Sequence, residues 1–170
     1  MHVPIREGDK DALWATAVLL GASAFYRMDA RAAHEAWPLN AADTDLAWLA
    51  MSDGEKAVST ARGQPAVMVA NLMGERCERN TLLRFMAFLG CVTAEFKQLL
   101  REKDARALAV LAIWYAKLCE YEQWWVQQWW VQQRARLEGQ ATCIYLETHH
   151  GHDAALTWLI EYPKMVLCGG

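Results

Sequence analysis

Residues 104–163 decide the fold; they contain DARALAVLAIWYAKLCEYEQWW (104–125), RARLEGQATCIYLETHH (134–150) and DAALTWLIEYP (153–163). In the first word Leu108, Leu111, Ala112, Tyr115, Leu118 and Cys119 recur at helical spacing, and Val110, Ile113 and Trp114 make the other side apolar too. A helix that is apolar all round belongs in an interior. Residues 107–116 carry no charge, which predicts the central helix of an all-α domain. A second long helix is predicted over 123–149. A short one over 153–161 is expected to stop at Pro163, because proline interrupts the helical hydrogen-bond ladder.

Towards the amino terminus the same periodicity continues. Leu13, Ala17, Leu20 and Ala24 lie on one face of a predicted helix over 11–26, with Trp14, Val18 and Phe25 on another. Pro38 restricts Trp37 to extended backbone, so residues 35–39 read as a buried turn anchored by an indole. Further helices are predicted over 46–60, with Leu46, Leu49 and Val58 inward, and over 66–73, ending near Gly74. Another is capped by Asn80, with Leu82, Phe85, Met86, Leu89, Phe96, Leu99 and Leu100 inward. Lys103 and Asp104 form the following turn. No window alternates with period two, so strands are not expected. The expectation is one compact all-α domain over residues 1–170, with about seven helices around a central apolar one.

Composition excludes several function classes. The chain has 170 residues, 22% of them charged, and a net charge of −3. A phosphate-tracking surface needs a basic face, and no Lys/Arg block of any length exists. Direct nucleic-acid binding is therefore not expected. The uncharged run 12–26 is shorter than the roughly 20 residues that span a bilayer. The start of the chain lacks the shape of a signal peptide. A soluble cytoplasmic or nuclear protein without membrane attachment is the expectation. Cys77, Cys91, Cys119, Cys143 and Cys168 are widely spaced and odd in number, with no C-x-x-C pair, which fits reduced thiols rather than a disulfide framework or a zinc site.

Two features bear on a site. Residues 123–127 and 128–132 repeat the word QWWVQ. Five residues turn a helix by about 500°, so the second copy faces about 140° away from the first. Trp125 and Trp129 share a face while Trp124 and Trp130 diverge, and one pair must line a cavity, meet a partner or lie exposed. The second feature is a small set of weak candidates for chemistry: His149, His150, Arg134, Glu138 and Tyr115. The run His149-His150-Gly151-His152-Asp153 fits no zinc motif, and no metal or cofactor is expected. The histidines suit a helix C-terminus and Asp153 suits the next N-cap. Arg134 and Glu138, four apart, read as a surface ion pair; facing inward, they would orient a polar ligand group. Tyr115 reads as a core tyrosine. No catalytic triad order, phosphate loop or H-E-x-x-H is present.

Taken together, EAWPL (35–39), DTDLAWLAMSDGEKAV (43–58), EFKQLLREKDARALAVLAIWYAKLC (95–119), QWWV (123–126), RARLEGQATCIYLE (134–147) and EYP (161–163) resemble the C-terminal regulatory domain of fungal zinc-cluster transcription factors, of the sterol-uptake-control type. The resemblance implies an all-helical domain whose apolar interior accepts a sterol-like ligand, and which forms homodimers or pairs with a full-length factor. By the same resemblance Trp114, Tyr115, Trp124 and Trp125 match the family's aromatic positions. With Trp129 and Trp130 they are the expected ligand-binding residues. The six-cysteine zinc cluster and its basic linker are absent, the first half of the usual domain is missing, and the second QWWVQ is extra. The chain thus reads as a short stand-alone relative that binds a lipophilic molecule (sterol, terpenoid or polyketide class) or a partner factor. The alternative is a cofactor-free cyclase, pericyclase or isomerase of fungal secondary metabolism, since such chemistry needs only a shaped apolar cavity and one or two hydrogen-bond donors.

Overall fold

A computed structural model of the chain describes residues 29–40, 46, 49, 65–78, 88, 92–121 and 129–169, without the side chains of 129–131. Among them are five α-helices and no strand: α1 (Pro65–Met73), α2 (Ala94–Arg101), α3 (Ala105–Glu120), α4 (Trp129–His150) and α5 (Ala154–Cys168). The all-α class expected from the periodicity is observed. A 3-10 turn, Ala33–Glu35, precedes α1. The helix predicted over 11–26 lies outside the described residues, as do Val58, Leu82, Phe85, Met86 and Leu89 of the sets predicted to face inward.

Local chemistry sets the helix ends. Pro65 is the first described residue of α1 and is buried. Thr93 starts α2 by accepting the Phe96 N–H on Oγ1 at 3.2 Å. Asp104 Oδ1 accepts from the Arg106 and Ala107 amides at the head of α3, each at 3.0 Å. Asp153 does the same for Ala155 and Leu156 at the head of α5. The α2–α3 corner closes with Asp104 N–H to Leu99 O at 2.8 Å and Lys103 N–H to Leu100 O at 3.0 Å. That pairing places Lys103 in the left-handed region, at φ 56°. Its side chain holds the corner down: Nζ donates to Pro38 O at 2.7 Å and lies 5.1 Å from the centre of the Tyr145 ring. Trp37, in the turn before Pro38, is buried as its sequence context predicts.

Three expectations are corrected. The helix predicted from Asn80 through Leu100 is interrupted, because Val92 and Thr93 are non-helical and Thr93 caps a new helix. Within α2 the buried positions are Phe96, Lys97 and Leu100, so Leu99 is turned outward and is 39% exposed. Pro163 does not stop the last helix; α5 runs on to Cys168 with Pro163 buried inside it. An internal proline costs about 3 kcal/mol in an isolated helix. Here Leu167 is buried beyond it, and Gln140 Nε2 donates to Leu167 O at 2.6 Å, so tertiary contacts hold the final turns in place.

The core forms where α3, α4 and α5 meet, with α1 and α2 packed on α3. Leu108, Leu111, Ala112, Trp114, Tyr115 and Leu118 of α3 are all buried. Phe88 stacks on Trp114 with ring centres 5.0 Å apart and meets Phe96 edge-on at 6.2 Å. On α4 the buried positions combine small residues, Ala135, Gly139, Ala141, Thr142 and Cys143, with the larger Arg134, Glu138 and Leu146. Gly139 is required there, since a Cβ would lie 2.6 Å from Leu167 Cδ1 and 3.2 Å from Tyr115 Cβ. Gly139→Val is expected to destabilise the protein by about 3 kcal/mol through overpacking. The corresponding fall in Tm, roughly 6–12 °C for a chain of this size, is measurable by calorimetry. An unchanged Tm would mean that the three helices do not meet this closely.

Candidate functional site

The helix junction encloses one charged network. Arg134, Glu138 and Thr142 recur every fourth residue on α4 and therefore share a face. Arg134 Nε donates to Glu138 Oε1 at 2.7 Å, and the Tyr115 hydroxyl, reaching across from α3, donates to Glu138 Oε2. Thr142 Oγ1 donates to the Glu138 backbone carbonyl at 2.6 Å. The Arg134 and Glu138 side chains are each 3% exposed. This corrects the reading of a surface pair: the spacing is right and the location is not. The small neighbours Ala135, Gly139 and Ala141 were the available signal, because small residues beside a charged pair mark a helix face that approaches its neighbours closely.

Electrostatics follow from that burial. Desolvation, with the adjacent Glu138 carboxylate second, pushes the Tyr115 phenol well above its usual range, against the opposing pull of Arg134. Tyr115 is therefore a fixed donor at physiological pH, and both Glu138 oxygens accept bonds. The arrangement can hold a charged anchor rigidly inside an apolar junction. General-base chemistry at Glu138 would require those bonds to open first.

The other sequence-derived candidates are placed as follows. Trp114 and Tyr115 are in the core, with ring centres 5.3 Å apart. Trp124 and Trp125 lie outside the described residues. Trp129 and Trp130 are the first described residues of α4, by backbone alone, and position 130 precedes Arg134 by one turn. His149 and His150 end α4, about 17 Å along the axis from Glu138 at 1.5 Å per residue, so they do not join the network. The His149 ring stacks on Tyr145 at 4.1 Å, with Nδ1 3.0 Å from the Tyr145 carbonyl. Among the described residues no three His, Cys, Asp or Glu side chains are grouped to hold a metal ion. No helix among them is long and apolar enough to cross a membrane.

A second polar cluster had not been singled out from the sequence. Glu120 Oε2 accepts from Lys117 Nζ at 2.9 Å and faces the Cys77 thiol at 3.7 Å. Tyr162 of α5 completes the group, its ring 5.7 Å from Lys117 Nζ. The Tyr162 hydroxyl is buried and completes no hydrogen bond. Burial first, then the charge of Glu120, raises its pKa far above the ordinary value. The i,i+3 pair Lys117–Glu120 was visible in the sequence; its meeting with Cys77 and Tyr162 is a product of the fold.

Buried thiols and phenols give this core a pH dependence. Burial pushes Cys119 up to about 11 and Cys143 up to about 12. Both folded-state values lie above those of the unfolded chain. Their contribution is complete below about pH 8.5 and declines above it, as the unfolded state releases protons that the folded state retains. Urea unfolding is expected to give constant stability near neutrality. Above pH 9 it should fall by up to about 1.4 kcal/mol per pH unit for each thiol. Cys143→Ala should reduce that slope, and a flat profile to pH 10.5 would contradict the burial of Cys143 and the partial burial of Cys119.

No protein-family profile, curated protein or solved structure matches this chain.

Proposed function

We propose that this chain is a ligand-binding regulatory domain related to that of fungal zinc-cluster transcription factors. In this reading about seven helices surround α3. They enclose a site for a lipophilic small molecule of the sterol, terpenoid or polyketide class, and the residues of this chain make no direct contact with nucleic acid. It acts in the cytoplasm or nucleus, alone, as a homodimer or paired with a full-length factor.

The observation that carries the reading is the Arg134–Glu138–Tyr115 network, a charged anchor inside an apolar helix junction, one turn along α4 from the tryptophan repeat. A ligand with a largely apolar body and one polar end needs that pairing of features: aromatic surface for the body and a few placed polar groups for orientation. The enzymatic alternative draws less support, because the Glu138 carboxylate is already bonded on both oxygens.

Titration with dehydroergosterol, read as energy transfer from the tryptophans, tests this. Saturable one-to-one binding is expected, weakened at least tenfold in the Arg134→Met/Glu138→Leu variant. An absence of saturable transfer with sterol, terpenoid and polyketide probes alike would overturn the reading.

A further inference from the structure

A thiol, a carboxylate, an ammonium and a phenol from three segments converge at the carboxy-terminal end of α3. Lys117 and Glu120 lie in its last turn, and Lys117 Nζ donates to Glu120 Oε2 at 2.9 Å. The Cys77 thiol, on the stretch that follows α1, donates to the same oxygen at 3.7 Å. Tyr162 of α5 closes the other side, its ring centre 5.7 Å from Lys117 Nζ. The Tyr162 hydroxyl is buried and completes no hydrogen bond, whereas a buried phenol ordinarily finds a partner. A hydroxyl so placed is a donor open to an acceptor that arrives with a ligand. Access comes from the Cys77 side, where the half-buried thiol sits between exposed Arg76 and Glu78. Burial raises the Cys77 pKa, Lys117 lowers it and Glu120 raises it again, so the resting group is the thiol. Such a sulfur needs a base as it attacks, and Glu120 already accepts its hydrogen bond.

We propose that Cys77 is a covalent modification site for α,β-unsaturated carbonyl compounds, with Glu120 as its base and Tyr162 as the donor to the carbonyl oxygen. The sulfur attacks the β carbon. An S–C bond forms, and the C=C π pair shifts so that charge gathers on the carbonyl oxygen as an enolate. The thiol's proton passes to the Glu120 carboxylate, and the Tyr162 hydroxyl donates to the enolate oxygen. Glu120 then gives the proton to the α carbon as the carbonyl re-forms. The net reaction adds S–H across the C=C bond and consumes no oxidant or reductant. Lys117, beside both Glu120 and the Tyr162 ring, offsets the negative charge that moves between carboxylate and enolate. The ligand class follows from the arrangement. A thiol with a base alone serves any electrophile, and the unpaired donor favours one that develops charge on oxygen. The site shares no residue with the Arg134–Glu138–Tyr115 network and does not depend on the ligand proposed there.

Timed labelling of the folded protein with cyclohexenone, followed by chymotryptic peptide mapping, tests the assignment. Cleavage after Leu72 and Leu82 places Cys77 as the one cysteine of the peptide 73–82. Cys168, exposed at the end of α5, is the reference thiol. Cys77 is expected to react about tenfold faster than Cys168, and Glu120→Gln should remove that advantage while leaving the Cys168 rate unchanged. Tyr162→Phe should slow the enone at Cys77 about tenfold. It should leave the iodoacetamide rate there unchanged, because displacement of iodide builds no enolate. Circular dichroism verifies that each variant is folded, and the ratio of Cys77 to Cys168 in the unmodified sequence needs no variant. Labelling of Cys168 or Cys119 ahead of Cys77 would overturn the proposal. So would a Tyr162→Phe effect shared equally by both reagents, an unchanged rate in Glu120→Gln, or no enone adduct at all.

Discussion

Glu138→Ala is expected to destabilise the protein by about 4 kcal/mol, because it removes the carboxylate that accepts from Arg134 Nε inside a buried helix junction. Arg134→Ala should cost a similar amount for the mirror-image reason. The double replacement Arg134→Met/Glu138→Leu removes both charges and fills the space with apolar atoms of comparable size. It should therefore recover most of the loss, and even exceed the starting stability, as replaced buried pairs often do. Such non-additivity distinguishes a buried pair from a surface one, for which each single substitution changes stability by under about 1 kcal/mol. Urea unfolding of the four proteins supplies the cycle. Small, additive single-site effects would mean that the pair is solvated.

The next largest effect belongs to Trp114. It is 1% exposed, stacks on Phe88 and adjoins Tyr115. Trp114→Ala removes that apolar area and leaves a cavity between α3 and its neighbours, at an expected cost of about 4 kcal/mol. Trp158 is the internal contrast: on the outer face of α5 it is 70% exposed, and Trp158→Ala should change stability by less than about 0.5 kcal/mol. Thermal unfolding of both variants side by side checks the assignment of inside and outside. Equal shifts would contradict it.

The sequence carried those parts of the fold that depend on local periodicity. The uncharged run of α3, the Asp153 cap, the turn at Lys103 and Asp104 and the buried Trp37 all follow from spacing and cap chemistry within a few residues. What escaped depends on contacts between segments distant in the chain. Thr93 looked like one more residue in a long helix until its hydroxyl was seen holding the Phe96 amide. Pro163 reads as a stop in isolation, and only the burial of Leu167 and its carbonyl's bond to Gln140 explain why the helix continues. Arg134 and Glu138 were recognised as a pair, but whether an i,i+4 pair faces water or α3 is set by a tyrosine about twenty residues away. The Cys77–Glu120–Tyr162 meeting joins three segments and had no sequence signature at all.

These elements define a helix junction that holds a buried charged network between α3 and α4. In the proposed function this network would orient one polar group of a larger apolar molecule, beside the small residues Ala135, Gly139 and Ala141 of α4. The most direct test is native mass spectrometry of the protein purified from a fungal host, with extraction and identification of whatever travels with it. A single lipophilic compound in one-to-one stoichiometry is the expected result, and its structure would name the ligand class. A protein that carries nothing, and whose tryptophan fluorescence ignores every sterol, terpenoid and polyketide offered, would contradict the proposed ligand site.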